Sequence, residues 1–190
     1  MRIVGGAFKG RRLLAPEGRD VRPTSDRARE SIFNILEHSD LAPPLDGASV
    51  IDVFAGSGAL GFEAMSRGAK PVTFLDIDDN ARACILKNAG TMGQAMSVTV
   101  LKLDATQLPP PPRIAKCPAT IAFLDAPYHS EATGPALLSM LSRGWIGPES
   151  LCVVETDAKL PFEPPRHFVI EDQRTYGAAM VSFLRVKPSA

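Results

Sequence analysis

The sequence is short of several features that would place its function early. No stretch approaches the ~20 consecutive apolar residues that a membrane-spanning helix needs, so no membrane partner is expected. Its three cysteines, Cys84, Cys117 and Cys152, are scattered and odd in number. They argue against a disulfide framework or a zinc site and read as small core residues in a reducing cytosol. The three histidines, His38, His129 and His167, show no ligand spacing, so no metal is expected. The opening MRIVGGAFKGRRL is basic and glycine-rich and has no apolar core of a secretory signal, which leads to a cytoplasmic expectation. Net charge is missing too: the formal sum at pH 7 is zero, which at first speaks against a nucleic-acid partner.

What is present changes that picture. A chain of 190 residues with 45% apolar content suffices for one domain with a sizeable core. The charge is unevenly placed: residues 1–30 hold eight basic and four acidic side chains, a net +4, and the remainder balances it at −4. A basic arm on an acidic body suggests phosphate contacts from the arm, although a solvated basic tail explains it equally well.

The first dozen residues predict a short hairpin turning at Gly5-Gly6. Thr24-Ser25 can cap a helix whose apolar face is Ile32, Phe33, Ile35 and Leu36, and Pro43-Pro44 ends that region. Residues 1–45 are therefore expected to form an N-terminal appendage of hairpin and helix, and residues 46–190 the body. The body alternates: strands at SVIDVF, PVTFLDID, SVTVLKLDA, ATIAFLDAP and SLCVVET are separated by helical stretches at ALGFEAMSRG, DNARACILKNAGTM and EATGPALLSMLSRG. Pro109 to Pro112 must be a loop. The tail HFVIEDQRTYGAAMVSFLRV reads as two strands around a turn. This rhythm gives an α/β fold with a mostly parallel sheet covered on both faces and an antiparallel element at its edge.

After the first body strand, Gly56, Gly58 and Gly61 satisfy G-x-G-x-x-G at a strand-to-helix turn, where glycine lets a ligand approach the backbone. Asp76 closes the next strand at the distance expected of a carboxylate that takes ribose hydroxyls. Asp52, Asp76, Asp104 and Asp125 all fall at strand ends, where open α/β sheets carry their sites. A pyrophosphate at this loop would meet Asp52, whereas S-adenosylmethionine brings a sulfonium and an ammonium and no phosphate. On charge grounds the loop suits the latter.

The successive motifs DVFAGSGALG, FLDID, LKLDA and LDAPY resemble those of class I S-adenosylmethionine-dependent methyltransferases, in their usual order. RIVGGAFKGRRL…RPTSDRARESIFNIL and RTYGAAMVSFL resemble more specifically the RsmD family, bacterial methyltransferases of guanine N2 in small-subunit (16S) ribosomal RNA. The resemblance implies a Rossmann-like sheet of seven strands with the last antiparallel. It implies that Asp52, Gly56 and Gly58 line the methionine end of the cofactor, with Phe54 in the same loop. Asp76 would take the ribose, and Asp104 and Ala105 would lie near the adenine. It implies ribosomal RNA, free or in a small-subunit assembly particle, as the partner. Asp125, Pro127 and Tyr128 match the amino-methyltransferase signature [D/N]-P-P-[Y/F], and Ala126 departs from it where the pattern has proline.

An exocyclic amine is a poor nucleophile, but the sulfonium is a good leaving group, so positioning supplies most of the acceleration. Asp125 and the Ala126 carbonyl are the acceptors for the amine, and Tyr128 is placed to stack on the base for ~1–3 kcal/mol. An ionised carboxylate only accepts, which matches the adjacent N1–H and N2 amine of guanine. Arg2, Lys9, Arg11 and Arg12 are candidates for flanking phosphates, and Arg22, Thr24, Arg27 and Arg29 for a lid over the pocket, although Arg27 and Arg29 read equally as partners of Asp26 and Glu30 on the same helix. Alternatives stay open: an adenine-N6 methyltransferase on DNA or RNA, a nicotinamide-dependent oxidoreductase, or an RNA-binding protein that keeps the fold without the reaction.

Overall fold

The computed structural model describes residues 1–16, 25–127, 130–160 and 162–188. Ser25 caps the first helix, its Oγ accepting the Ala28 N–H at 3.1 Å. That helix, α1 (Asp26–His38), buries Ala28, Ile32, Phe33 and Leu36, while Ile35 is half-buried. It stops where the Ser39 N–H and hydroxyl both turn back onto the Ile35 carbonyl.

The body follows the expected alternation: β1 (Val50–Val53), α2 (Ala59–Ser66), β2 (Val72–Leu75), α3 (Asp79–Thr91), β3 (Val98–Leu101), β4 (Ile121–Asp125), α4 (Thr133–Arg143), β5 (Leu151–Asp157), β6 (Phe168–Tyr176) and β7 (Ala179–Val186). They form one seven-stranded sheet in the order β3-β2-β1-β4-β5-β7-β6. The first five strands pair in parallel, and β7 inserts antiparallel between β5 and β6. The chain leaves β1 toward β3 on one side and returns to β4 on the other. That reversal is a topological switch point, and it lies between β1 and β4.

The side-chain period of two sorts the strands onto two cores. Val50, Val72, Phe74, Ile121, Phe123, Leu151, Val153 and Phe183 pack beneath α1, α2 and α3. Ile51, Val53, Leu75, Ala122, Leu124, Cys152, Val154 and Leu184 pack against α4 and the 3-10 turns at Ala105–Gln107 and Arg113–Ala115. The proline run covers this second core, and the Pro109 carbonyl accepts the Nε1–H of the fully buried Trp145 at 2.7 Å.

The expected N-terminal hairpin reduces to a single antiparallel bridge between Arg2 and Arg12. The N–H groups of Ile3, Gly10 and Leu13 pair across the arm with the Arg11, Ile3 and Met1 carbonyls at 2.9, 2.9 and 3.1 Å, and those around the glycines turn to α2. Glu63 accepts from Val4 and Gly5 at 2.8 Å each, the Ser66 carbonyl accepts from Ala7 at 2.7 Å, and the Ser66 hydroxyl accepts from Phe8 at 2.9 Å. Gly6 sits at φ +72° with a notional Cβ only 1.9 Å from the Ser66 carbonyl oxygen. The glycine pair therefore serves close approach to α2 rather than a tight hairpin turn. Ile3 and Leu13 join the same core as Ile32, Phe33 and the sheet.

Candidate functional site

Four acids crown the face beneath α1 and α2. Each stands two residues beyond an apolar core residue of that face: Asp52 after Val50, Asp76 after Phe74, Asp125 after Phe123 and Glu155 after Val153. Because β2, β1, β4 and β5 run parallel and adjacent, all four acids collect at one edge of the sheet. Three are the residues expected from the sequence. Glu155 was missed, although it follows the same pattern of an acid two residues past an apolar one.

The glycine loop is organised by two of these acids. Asp52 accepts the Gly61 N–H at 2.8 Å, tying β1 to the first turn of α2. Asp76 accepts the Gly56 N–H at 2.9 Å and the Asp78 N–H at 2.9 Å. The glycines serve different ends. A Cβ at Gly61 would lie 2.3 Å from the Phe74 ring, and one at Gly58 would lie 3.0 Å from that ring and 2.7 Å from Phe62, so both permit packing of helix on sheet. At Gly56 the nearest atom to a notional Cβ is the Phe54 carbonyl oxygen at 3.9 Å, which leaves that face open to a ligand. Phe54 itself holds φ +58°, a left-handed conformation that costs a non-glycine residue about 1–3 kcal/mol and clusters at functional sites.

The electrostatics suit a cation. Asp52 is 2% exposed, and burial, reinforced by the charge of Asp76 and opposed by the Gly61 N–H, pushes its carboxyl up to about 8. Burial, then the charges of Glu155 and Asp52, raises Asp125 well above the usual carboxylate range. Among the described residues neither Asp52 nor Asp125 is in a salt bridge. A sulfonium and an ammonium would relieve this concentration of acid, and a pyrophosphate would aggravate it, so the donor set fits S-adenosylmethionine. Asp104 is exposed, and its carboxylate accepts the Thr106 N–H and hydroxyl at 2.9 and 2.7 Å, which starts the turn that buries Ala105. Among the described residues no group of three or more His, Cys, Asp or Glu is arranged to hold a metal ion, and no helix is long and apolar enough to cross a membrane.

Asp125 ends β4, Ala126 is buried, and Pro127 is exposed, its carbonyl accepting the Ser130 N–H at 3.1 Å. Tyr128, Arg22 and Thr24 lie outside the described residues. Lys9, Arg11, Arg12 and Arg27 are exposed, and Arg2 is exposed while pairing with Asp26 at 3.2 Å. Arg29 is not an exposed lid residue. It is fully buried, bonded to the Arg2 carbonyl and to Asp26, with Glu63 at 3.7 Å. Glu63 also accepts from Arg67 at 2.9 Å, and the Arg67 guanidinium lies 5.1 Å from the Phe33 ring centre. This buried cluster joins the arm, α1 and α2, and sequence reasoning did not find it.

The family model described as "Conserved hypothetical protein 95" matches residues 1–185. Ribosomal RNA small subunit methyltransferase D of Haemophilus influenzae is 34% identical over 182 residues, spanning 93% of this chain and 89% of that protein. The solved structure of Escherichia coli yhhF superposes with a TM-score of 0.80 at 29% identity, covering 100% of this chain and 99% of that one. An RNA methyltransferase of Salinibacter ruber, solved in complex with S-adenosyl-L-homocysteine, gives a TM-score of 0.67 at 15% identity over 88% of this chain and 95% of that one, a likeness of fold. With a model matched along almost its whole length and a relative of this similarity, the chain belongs to the RsmD family.

Proposed function

We propose that the protein methylates the exocyclic N2 amine of a guanine in small-subunit ribosomal RNA. Membership of the family supports an S-adenosylmethionine-dependent methyltransferase, and the relative's activity on small-subunit ribosomal RNA supports the substrate class. The observation that carries the amine chemistry is the adjacency of Asp52 and Asp125. They leave the same sheet face from adjacent strands, Asp52 opposite Phe123 and Asp125 two residues further along β4, so a cation site and an acceptor for an amine lie on one diagonal of that face.

S-adenosylmethionine, when bound, supplies an electrophilic methyl on a positively charged sulfur. Asp52 and the Gly56–Gly58 loop hold the cationic end, Asp76 the ribose hydroxyls, and Asp104, Ala105 and Phe54 the adenine side. Asp125 in its ionised form accepts from guanine N1–H and N2–H together, and the Ala126 carbonyl adds a second acceptor at the amine. Pro127 fixes the turn that presents them, and Tyr128 stacks on the base. Arg2, Lys9, Arg11, Arg12 and Arg27, with Arg22 and Thr24, contact the flanking phosphates. The cytoplasm, where ribosomal RNA is found, is the matching location.

Adenine N6 is the second reading, and the raised proton affinity of Asp125 favours it. A protonated Asp125 offers one donor and one acceptor, which is the pattern complementary to adenine's edge. Purified protein, supplied with methyl-labelled S-adenosylmethionine and unmodified small-subunit RNA or particles, separates the two by nucleoside digestion. Label in N2-methylguanosine is expected. Asp125→Ala should abolish transfer yet retain S-adenosylhomocysteine binding. Label in N6-methyladenosine would replace the first reading with the second.

A further inference from the structure

The residue beside Asp125 in the sheet is another acid. β4 and β5 pair in parallel with Asp125 opposite Glu155, so both carboxyls leave the same face from neighbouring strands about 4.8 Å apart. Glu155 is 6% exposed, and its partner on the other side, across the antiparallel pair, is the apolar Val181. Val153, two residues earlier on the same row, shows what the core accepts there.

We propose that Glu155 is a positioning residue that acts through Asp125: its carboxyl, on the next strand, makes Asp125 the acceptor of the proton that the target amine sheds. The inference rests on the amine-methylation reading above. Methylation replaces an N–H with N–CH3. The nitrogen lone pair forms the N–C bond, the C–S bonding pair stays with sulfur, and one proton leaves the nitrogen. A carboxylate held beside a second carboxylate on the next strand takes that proton better than an isolated carboxylate of ordinary acidity. Burial raises the proton affinity of Asp125 first, and the charges of Glu155 and then Asp52 raise it further. Among the described residues, charged groups on the elements that pack this face include Asp76, beyond Asp52 at the end of β2, and Arg29, Glu63 and Arg67 of α1 and α2, which engage one another. Tyr176 of β6 shares a hydrogen bond with Ser31 of α1 at 2.8 Å.

The test is a carboxyl titration by NMR on protein carrying carbon-13 at the aspartate carboxyls, with no cofactor or RNA present. The Asp125 signal is identified by its loss in Asp125→Asn. Its midpoint should lie above the ordinary carboxylate range and fall by about one pH unit or more in Glu155→Gln, the coupling that defines an interacting pair. The acid limb of the methyl-transfer rate should move the same way in that variant. A midpoint unmoved by Glu155→Gln, even with activity reduced, would leave Glu155 a structural role only and overturn the proposal. Should Gln not be tolerated, the titration of Asp125 in an Asp52→Asn background decides: two coupled steps support the pairing and a single step overturns it. The titration needs no RNA, so a methylated nucleoside other than N2-methylguanosine would sink only the reading on which the inference rests.

Discussion

Asn88 of α3 holds both backbone groups of Leu14: its Oδ1 accepts the Leu14 N–H at 2.8 Å and its Nδ2 donates to the Leu14 carbonyl at 3.1 Å. The same Nδ2 donates to the Ser57 carbonyl inside the glycine loop at 3.0 Å. One fully buried side chain thus ties the basic arm to the cofactor loop. Asn88→Ala takes this partner from the Leu14 N–H and the Ser57 carbonyl, while the Leu14 carbonyl keeps the Cys84 thiol at 3.1 Å, and leaving a buried group unpaired costs about 1–3 kcal/mol. Urea denaturation should show that loss, and limited proteolysis should cut the 1–16 segment faster than in the wild type. Unchanged stability would remove Asn88 from the linkage.

The arm also depends on Gly6. Ala at this position places a methyl 1.9 Å from the Ser66 carbonyl oxygen at φ +72°, whereas Gly10, at φ +85°, has nothing within 4 Å of its notional Cβ. Gly10→Ala should cost only the left-handed backbone, about 1–2 kcal/mol. Gly6→Ala adds a steric clash with backbone and should cost clearly more by denaturant unfolding. Equal losses would mean that the arm does not rest on α2 as described.

Asp52 makes stability depend on pH with an unusual sign. Its folded-state carboxyl is raised from 3.8 to about 8, so in between the folded protein keeps a proton that the unfolded chain has released. This group's contribution to stability therefore falls as pH rises from about 4 to about 8. Asp52→Asn should flatten that part of the unfolding free energy measured against pH. A bound cation favours the ionised form, so S-adenosylmethionine should bind more tightly as pH rises through that window in calorimetric titration.

How much of this was legible in the sequence follows from how far each signal reaches. Phe33, Phe74 and Phe123 sit in rows whose period is local, so the strands, α1 and the strand-end acids Asp52, Asp76 and Asp125 could be read directly. Gly5-Gly6 reads locally as a turn because its true partner, Ser66, lies some 60 residues on. Glu63 and Arg29 look like solvent-facing helix charges until α1, α2 and the arm converge on them. Glu155 follows the same pattern of an acid two residues past an apolar one, but that it stands beside Asp125 is set by the β4–β5 register.

Arg11 and Arg12 are exposed at the base of the arm and test its role in RNA binding. Replacing both with Ala should weaken RNA affinity and reduce the slope of log affinity against log salt by about 0.7–0.9 for each phosphate that is no longer neutralised. S-adenosylhomocysteine binding should be unaffected, since neither residue belongs to the carboxylate cluster. An unchanged salt slope would place the RNA elsewhere.

Small-subunit ribosomal RNA from cells with and without this gene, compared by nucleoside mass spectrometry and primer extension, tests guanine-N2 methylation most directly. The strain lacking the gene should lose N2-methylguanosine at one site and regain it when the gene is restored, but not with Asp125→Ala. Loss of N6-methyladenosine instead, or an unchanged set of methylated nucleosides, would contradict that assignment.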